Sequence, residues 1–186
     1  MLKQLVVRQL RRLAKRQLTA FTPTVVAVTG SVGKTSTKNA IAIALAAKHS
    51  VRKSEKNYNN EFGVPLAILA ETSPGKNLWE WIKLFRRARH IKTFPKYLVL
   101  EYGADKPGDI AELCKLARPD IGVITAISPV HAVNYPNLAA LADEKATLGD
   151  FVPEHGLVIL NSDDATVALM KDRFSAPVIT YGKEDA

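Results

Sequence analysis

The sequence predicts an α/β protein with a mostly parallel sheet flanked by helices. Three observations carry that prediction. Short continuous apolar runs at residues 25–28, 97–100, 121–127 and 157–160 suit strands covered on both faces. Between them, apolar residues recur at helical spacing, so strands and helices alternate along the chain. Polar residues follow directly after the apolar runs, at the carboxyl ends of strands, where an open parallel sheet gathers its ligands.

The 186 residues suffice for one well-buried domain and hardly for two, and a hydrophobic content of 47% is ordinary for a globular chain. The single cysteine, Cys114, allows no internal disulfide. It reads as a small buried residue of a protein from a reducing cytoplasm. No apolar run reaches the roughly 18 residues needed to cross a bilayer. The N-terminus is charged throughout and has no signal-peptide core.

Taken in order, residues 2–18 form a helix. Leu2, Leu5, Val6, Leu10, Leu13 and Leu18 fall mostly on one face, and Arg8, Arg11, Arg12, Lys15 and Arg16 fill the rest. The stripe either packs on its own domain or lies peripherally on a membrane, which would place the protein at the inner membrane surface. Pro23 breaks the chain. The expected organisation is therefore a basic amphipathic helix and linker over 1–22, then a domain over 23–186. A strand at 25–28, a turn at 29–33 and a helix over 34–48 follow. A short extended segment at 50–53 leads into the polar loop NYNNEFGVP, and Pro65 suits the first turn of a helix at 64–70. Ser73-Pro74-Gly75 is a turn. Residues 78–91 are helical, with Trp79, Trp81 and Phe85 on one side and basic residues on the other. The strand at 97–100 ends in Glu101, and a glycine-bearing loop opens a helix at 109–117. After the strand at 121–127 come the loop SPVHAVNYP, a helix at 138–148, a strand ending in NSDD, a helix at 165–171 and a strand at 177–180.

The net charge of +8 is concentrated in residues 3–16 and 83–96. Such clusters suit nucleic acid, an anionic membrane, an acidic partner, or simply two solvated helix faces. No nucleic-acid motif accompanies them, so nucleic acid is not an expected partner.

The chemistry centres on residues 25–45, a buried strand, a glycine turn and a helix. Such a turn gathers backbone N–H groups at a helix N-terminus and binds phosphate. Thr29, Gly30, Ser31, Val32, Gly33, Lys34, Thr35 and Ser36 are the expected contacts, in a P-loop NTPase-like arrangement. Lys34 supplies a charge for the β/γ-phosphates and Thr35 a hydroxyl for Mg²⁺. The general pattern wants a glycine where Val28 stands; here the glycine is Gly30. Glu101, at the end of a buried strand, is costly unless paired or bound to metal. His131 by itself reads as a loop residue. Lys145, after Asp143 and Glu144, reads by itself as part of a solvated charge cluster.

TGSVGKTSTK, NYNNEFGVPL, LVLEYGADKPGDI, the His131 loop with DEKATL, and NSDD occur in that order at suitable distances. Together they resemble the central ATP-binding domain of the Mur ligase family over residues 25–180. The second and third segments most resemble the branch that adds D-alanyl-D-alanine to UDP-N-acetylmuramoyl-tripeptide. The resemblance implies a cytoplasmic ATP-dependent amide-forming ligase of peptidoglycan precursor synthesis. Its partners would be a UDP-muramoyl-peptide-like substrate and an amino acid or dipeptide. It implies metal binding by Thr35, Glu101, His131 and Lys145, with Lys145 carbamylated beside the metal, and Lys34, His131 and Lys145 in catalysis. It places Asn59, Asn60, Asn161 and Asp163 near the nucleotide. Ala132, Val133 and Asn134 depart from the His-Leu-Glu expected at the histidine. Family members add an N-terminal UDP-sugar domain and a C-terminal domain, and neither is expected between Met1 and Ala186. A nucleotide-binding interaction module without ligase activity is therefore the alternative reading.

Overall fold

The computed structural model describes residues 2–55, 58–129 and 134–183; His131 lies outside them. The chain runs α1 (Leu2–Phe21), β1 (Thr24–Thr29), α2 (Lys34–Ala46), β2 (Val51–Lys53), α3 (Gly63–Leu69), α4 (Leu78–Arg89) and β3 (Tyr97–Glu101). It continues with α5 (Asp109–Leu116), β4 (Ile121–Ile124), α6 (Leu138–Asp150), β5 (Leu157–Asn161), α7 (Ala165–Ala168) and β6 (Val178–Tyr181). The strands form one sheet in the order β2-β3-β1-β4-β5-β6, and every pairing is parallel. The α/β reading of the sequence therefore holds.

Alternate residues of each central strand serve the two faces. Val26, Val28, Val99 and Val123 pack under Ala42, Ile41 and Leu45 of α2. Val25, Ala27, Leu98 and Leu100 join a larger core with α1, α3, α4, α5 and α6. The topology fixes where a ligand fits. The connection from β1 crosses the sheet one way, toward β2. Those from its neighbours β3 and β4 run the other way. Crevices open at such reversals, beyond the carboxyl ends of the strands. The register sets Val28 beside Glu101 on one side and Val123 on the other, so the loop after β1 has both neighbouring strand ends within reach.

Several elements differ from expectation for identifiable reasons. β4 stops at Ile124, where Thr125 and Ala126 turn to bond the loop after β1. The helix expected at 165–171 shortens to α7 and a 3₁₀ turn at Lys171–Arg173. The aromatics of α4 divide: Trp81 and Phe85 face the core, whereas Trp79 points outward. In α1, Leu10, Leu13 and Ala14 are buried, and the Gln17 side chain donates to Ala88 O at 2.8 Å. The α1 helix thus shares one core with the sheet and its other helices. Leu10 and Leu13 of the α1 stripe are spent on that core, while Leu5 stays exposed, so Leu5 and the cationic outer face are what α1 leaves for any contact with a membrane. Among the described residues, no helix is long and apolar enough to cross a bilayer.

Candidate functional site

The loop after β1 is shaped by close backbone approach. Gly30 has φ +144°, and a Cβ there would lie 2.1 Å from Thr125 Oγ1. That hydroxyl lies 2.6 Å from Val32 O and 3.1 Å from Thr29 O, so its proton holds the loop's carbonyls to the end of β4. Ser31 N–H donates to Ala126 O at 2.6 Å, and Thr29 Oγ1 donates to Tyr102 O at 2.9 Å. Gly33, at φ +85°, caps α2. Thr37 N–H donates to Gly33 O, so the N–H groups of Lys34, Thr35 and Ser36 precede the helix's own bonding pattern and face outward. Ser31 Oγ is buried with no hydrogen-bond partner among the described residues. A phosphate oxygen in this concavity would supply an acceptor for it, so the loop fits a phosphate by geometry as well as by motif. Val32 is exposed at its side chain and can serve only through its backbone.

Gly30→Ala therefore loses both stability and the loop. The clash with Thr125 and the unfavourable φ each cost on the order of 1–3 kcal/mol. Urea denaturation should show a lowered midpoint, and nucleotide titration should show weakened binding.

Lys34 arches back over this loop, its Nζ 2.8 Å from Gly30 O and 2.9 Å from Ser31 O. Burial holds its pKa below the ordinary lysine value, partly opposed by the negative charge of Glu101. Glu101 is 2% exposed. Thr35 Oγ1 donates to its Oε2 at 2.9 Å, the Lys38 ammonium lies 3.3 Å from the same oxygen, and Asn59 Nδ2 donates to Oε1 at 3.1 Å. The Thr35 hydroxyl and the Glu101 carboxylate are hard oxygen donors of the kind Mg²⁺ takes, so the pair suits the ion by its chemistry, and binding would replace the hydrogen bond the two now share. Among the described residues, no group of three His, Cys, Asp or Glu side chains converges on a metal position.

A cavity of about 680 Å³ spreads from the loop, with Gly30, Ser31, Lys34, Asn59, Asn60, Gly103 and Lys145 among its walls. Asn59 fixes one wall through its O, which accepts from Gly103 N–H at 2.7 Å. Asn60 shapes the turn into α3, accepting from the N–H groups of Phe62 and Gly63. Lys145 is not the solvated lysine its sequence neighbours suggest. It is 3% exposed, and its pKa falls to about 8, through burial first and the nearby charge of Lys34 second. Glu144, also buried, accepts from Gly108 and Ile110 N–H at 2.8 Å each, tying α6 to the start of α5. Asp143 alone of the three stays out in solvent, paired with Arg173.

Asn161 and Asp163 lie at the same sheet edge but outside this cavity. Asn161 Oδ1 accepts from Asp163 N–H, and Asp163 Oδ1 accepts from Lys183 N–H, so both shape the turn after β5. Sequence assigns four residues of the site no functional part, and it reads one of them, Glu144, as solvated, whereas it is buried. Lys38 sits one helical turn past Lys34 and faces Glu101. Thr125 locks the loop. Ser54 Oγ accepts from Glu101 N–H, and Glu144 orients the α5 loop. Only Lys38 had a readable signal, its i+4 spacing from Lys34.

Comparison with known proteins identifies the family of the chain. Residues 28–186 match the Mur ligase middle domain family. A UDP-N-acetylmuramoyl-tripeptide–D-alanyl-D-alanine ligase of Mycobacterium leprae is 34% identical over 181 residues, 96% of this chain and 31% of the relative. The Bacillus subtilis ligase of the same name is 31% identical over 173 residues, 93% of this chain and 33% of the relative. The chain thus spans about a third of the length of these relatives. Among solved structures, MurF ligase from Thermotoga maritima in complex with ADP superimposes with a TM-score of 0.77 at 31% identity, over 96% of this chain and 37% of that one. A phosphate loop of the form TGSVGKTS, a buried strand-end glutamate beside it and a buried lysine across one cleft thus stand in a chain that belongs to the Mur ligase family, through its middle domain.

Proposed function

We propose that these residues are the ATP-binding centre of a cytoplasmic ligase that joins D-alanyl-D-alanine to a UDP-muramoyl-tripeptide. The observation that carries this reading is one cavity lined by Gly30, Ser31 and Lys34 of the phosphate loop and by Lys145, with Glu101 joined to the same loop through its hydrogen bond from Thr35. The substrate carboxylate attacks the γ-phosphorus of ATP, ADP leaves, and an acyl phosphate forms. The amine then attacks the acyl carbon, and phosphate departs as the amide bond forms. Little covalent work falls to the protein, so positioning and neutralisation of charge dominate. The loop N–H groups and Ser31 hold the phosphates. The Lys34 ammonium swings from the loop carbonyls to the β/γ-phosphate oxygens. Thr35 and Glu101 would hold Mg²⁺, with His131 a candidate further ligand, and the ion would neutralise charge on the transferring phosphoryl group. Asn59 orients the Glu101 carboxylate. Asn161 and Asp163 would act only at the periphery of the nucleotide. The test is hydroxylamine trapping of an acyl phosphate with ATP and a UDP-muramoyl-tripeptide; ATP binding with no trapped acyl group would overturn the ligase reading. The second reading is a nucleotide-binding module without turnover of its own, for which the two basic helices α1 and α4 offer a partner surface. Amide formation by this chain alone would exclude it.

Lys145 fits the carbamylated lysine of the family. Only a neutral amine attacks CO₂, forming an N–C bond and releasing a proton. The pKa near 8 keeps an appreciable neutral fraction near pH 7, where an ordinary lysine has almost none. The product is an anion, which relieves the repulsion between Lys145 and Lys34. Lys145→Ala should therefore abolish ligation, and acetate or formate should restore part of it; failure of rescue would mean that Lys145 acts only through its structural position. The linkage to folding has a definite sign. The folded pKa lies below the unfolded one, so the unfolded chain binds more protons between about pH 8 and 10. The contribution of this residue to stability rises with pH across that window and is lost as pH falls through about 8.

A further inference from the structure

The surface formed by α1 and α4 stands apart from the phosphate loop, touching the cavity wall only at Lys3 and at Arg11, which pairs with Glu112, and its composition is unusual. The α1 helix carries six Lys and Arg residues and no carboxylate; α4 carries four against one. Together they account for more than the whole net charge of +8, so the rest of the molecule is close to neutral. The helices are neighbours on one face of the sheet, joined by the Gln17 bond to Ala88. On α4, Trp81, Leu84 and Ala88 point inward and explain one apolar side of the helix. The opposite arc bears Leu78, Trp79 and Ile82, exposed by 63%, 75% and 57%, between Lys83, Arg86 and Arg89. No burial within the described chain explains that second apolar arc. Lys83 pairs with Glu80, whereas Arg86 and Arg89 have no carboxylate partner among the described residues. The outer arc of α1 adds Arg8, Arg12, Lys15 and Arg16, which are exposed.

We infer that this paired surface docks on an anionic lipid bilayer, with Leu78, Trp79 and Ile82 seated among the headgroups and the cations around them. A tryptophan set between cations is suited to the bilayer interface, where its ring is half buried and half wet. Anionic headgroups supply the countercharge that this side of the protein lacks. A nucleic acid would neutralise the cations and could stack on Trp79, but it offers nothing apolar to Leu78 and Ile82. The helix lies in the plane of the interface and does not enter further. Of the two readings the sequence left for the α1 stripe, burial of Leu10 and Leu13 favours packing on the domain, and the apolar contact falls to α4.

The test is flotation of the intact chain with phosphatidylcholine vesicles that carry phosphatidylglycerol, and with phosphatidylcholine vesicles alone, at low and high salt. Binding should require the anionic lipid and weaken with salt. Trp79→Ser should weaken it about ten-fold, as the loss of one largely buried apolar side chain. Arg86→Ala and Arg89→Ala should each cost about five-fold. Fluorescence should shift to the blue on binding, and the shift should vanish in Trp79→Phe, where Trp81 alone remains. All four variants should keep wild-type nucleotide affinity and circular dichroism, so failure here is separable from failure of the ligase reading. Absence of binding to the anionic vesicles overturns the inference. So does binding indifferent to Trp79, binding of single-stranded RNA in place of vesicles, or a dimer abolished by Trp79→Ser without any vesicle binding.

Discussion

Replacing Lys34 with alanine lowers ATP affinity by two orders of magnitude or more, on the order of 3 kcal/mol, while leaving the fold nearly intact. The asymmetry follows from what Lys34 touches. Its ammonium rests against two loop carbonyls, Gly30 O and Ser31 O, and both remain close to the cavity where water can replace it. Its charge therefore contributes little to folding and much to holding the β/γ-phosphates. Isothermal titration with ATP and thermal unfolding separate the two effects. Wild-type affinity in Lys34→Ala would remove the phosphate loop from the site. A second consequence is specific to this geometry. Lys34 is the charge that, after burial, does most to lower the pKa of Lys145. Its removal should raise that pKa and so reduce ¹³C-carbamate formation at neutral pH, even though Lys145 itself is unchanged.

Replacing Glu101 has the opposite profile, with a large cost in stability as well as in binding. The carboxylate is buried and is the acceptor for Thr35, Lys38 and Asn59. Glu101→Ala deprives the buried Lys38 ammonium of its carboxylate, and breaking a buried ion pair from one side costs about 3–5 kcal/mol. Glu101→Gln keeps the size and most of the hydrogen-bonding capacity, so it should cost less in the fold. It removes the charge, and nucleotide binding should then no longer respond to Mg²⁺. Denaturant unfolding and ATP titration with and without Mg²⁺ measure the two parts. Adding Lys38→Met to Glu101→Gln should recover stability without recovering the metal response, which a double-mutant cycle would report as a coupling energy. An unchanged Mg²⁺ response in Glu101→Gln would show that the ion is held elsewhere.

Neither effect could be scaled from sequence, because both depend on burial. Glu101 was recognisable as a costly carboxylate after four apolar residues, but its partners were not. Lys38 is 63 positions away along the chain and Asn59 is 42. Lys145 marks the limit more sharply. Its neighbours Asp143 and Glu144 made it look solvated, and only its resemblance to a family motif pointed to chemistry. The packing of α6 beside the α5 loop turns Glu144 and Lys145 inward and leaves Asp143 outside. Asn161 and Asp163 show the converse: a polar motif at the right strand end can be occupied with its own turn.

By itself, the sequence determined the order of strands and helices, the phosphate loop with its glycines, and the carboxyl edge on which polar residues collect. Those features are local: alternation, helical period and glycine conformation act over a few residues. The tertiary structure decided what depends on contacts between distant segments. It closed the Gly30 turn against Thr125, set Glu101 among Thr35, Lys38 and Asn59, and buried Lys145 near Lys34. It also spent Leu10 and Leu13 of α1 on the core and left Trp79 of α4 in solvent, since which face of an amphipathic helix is covered is settled only by the elements that pack against it.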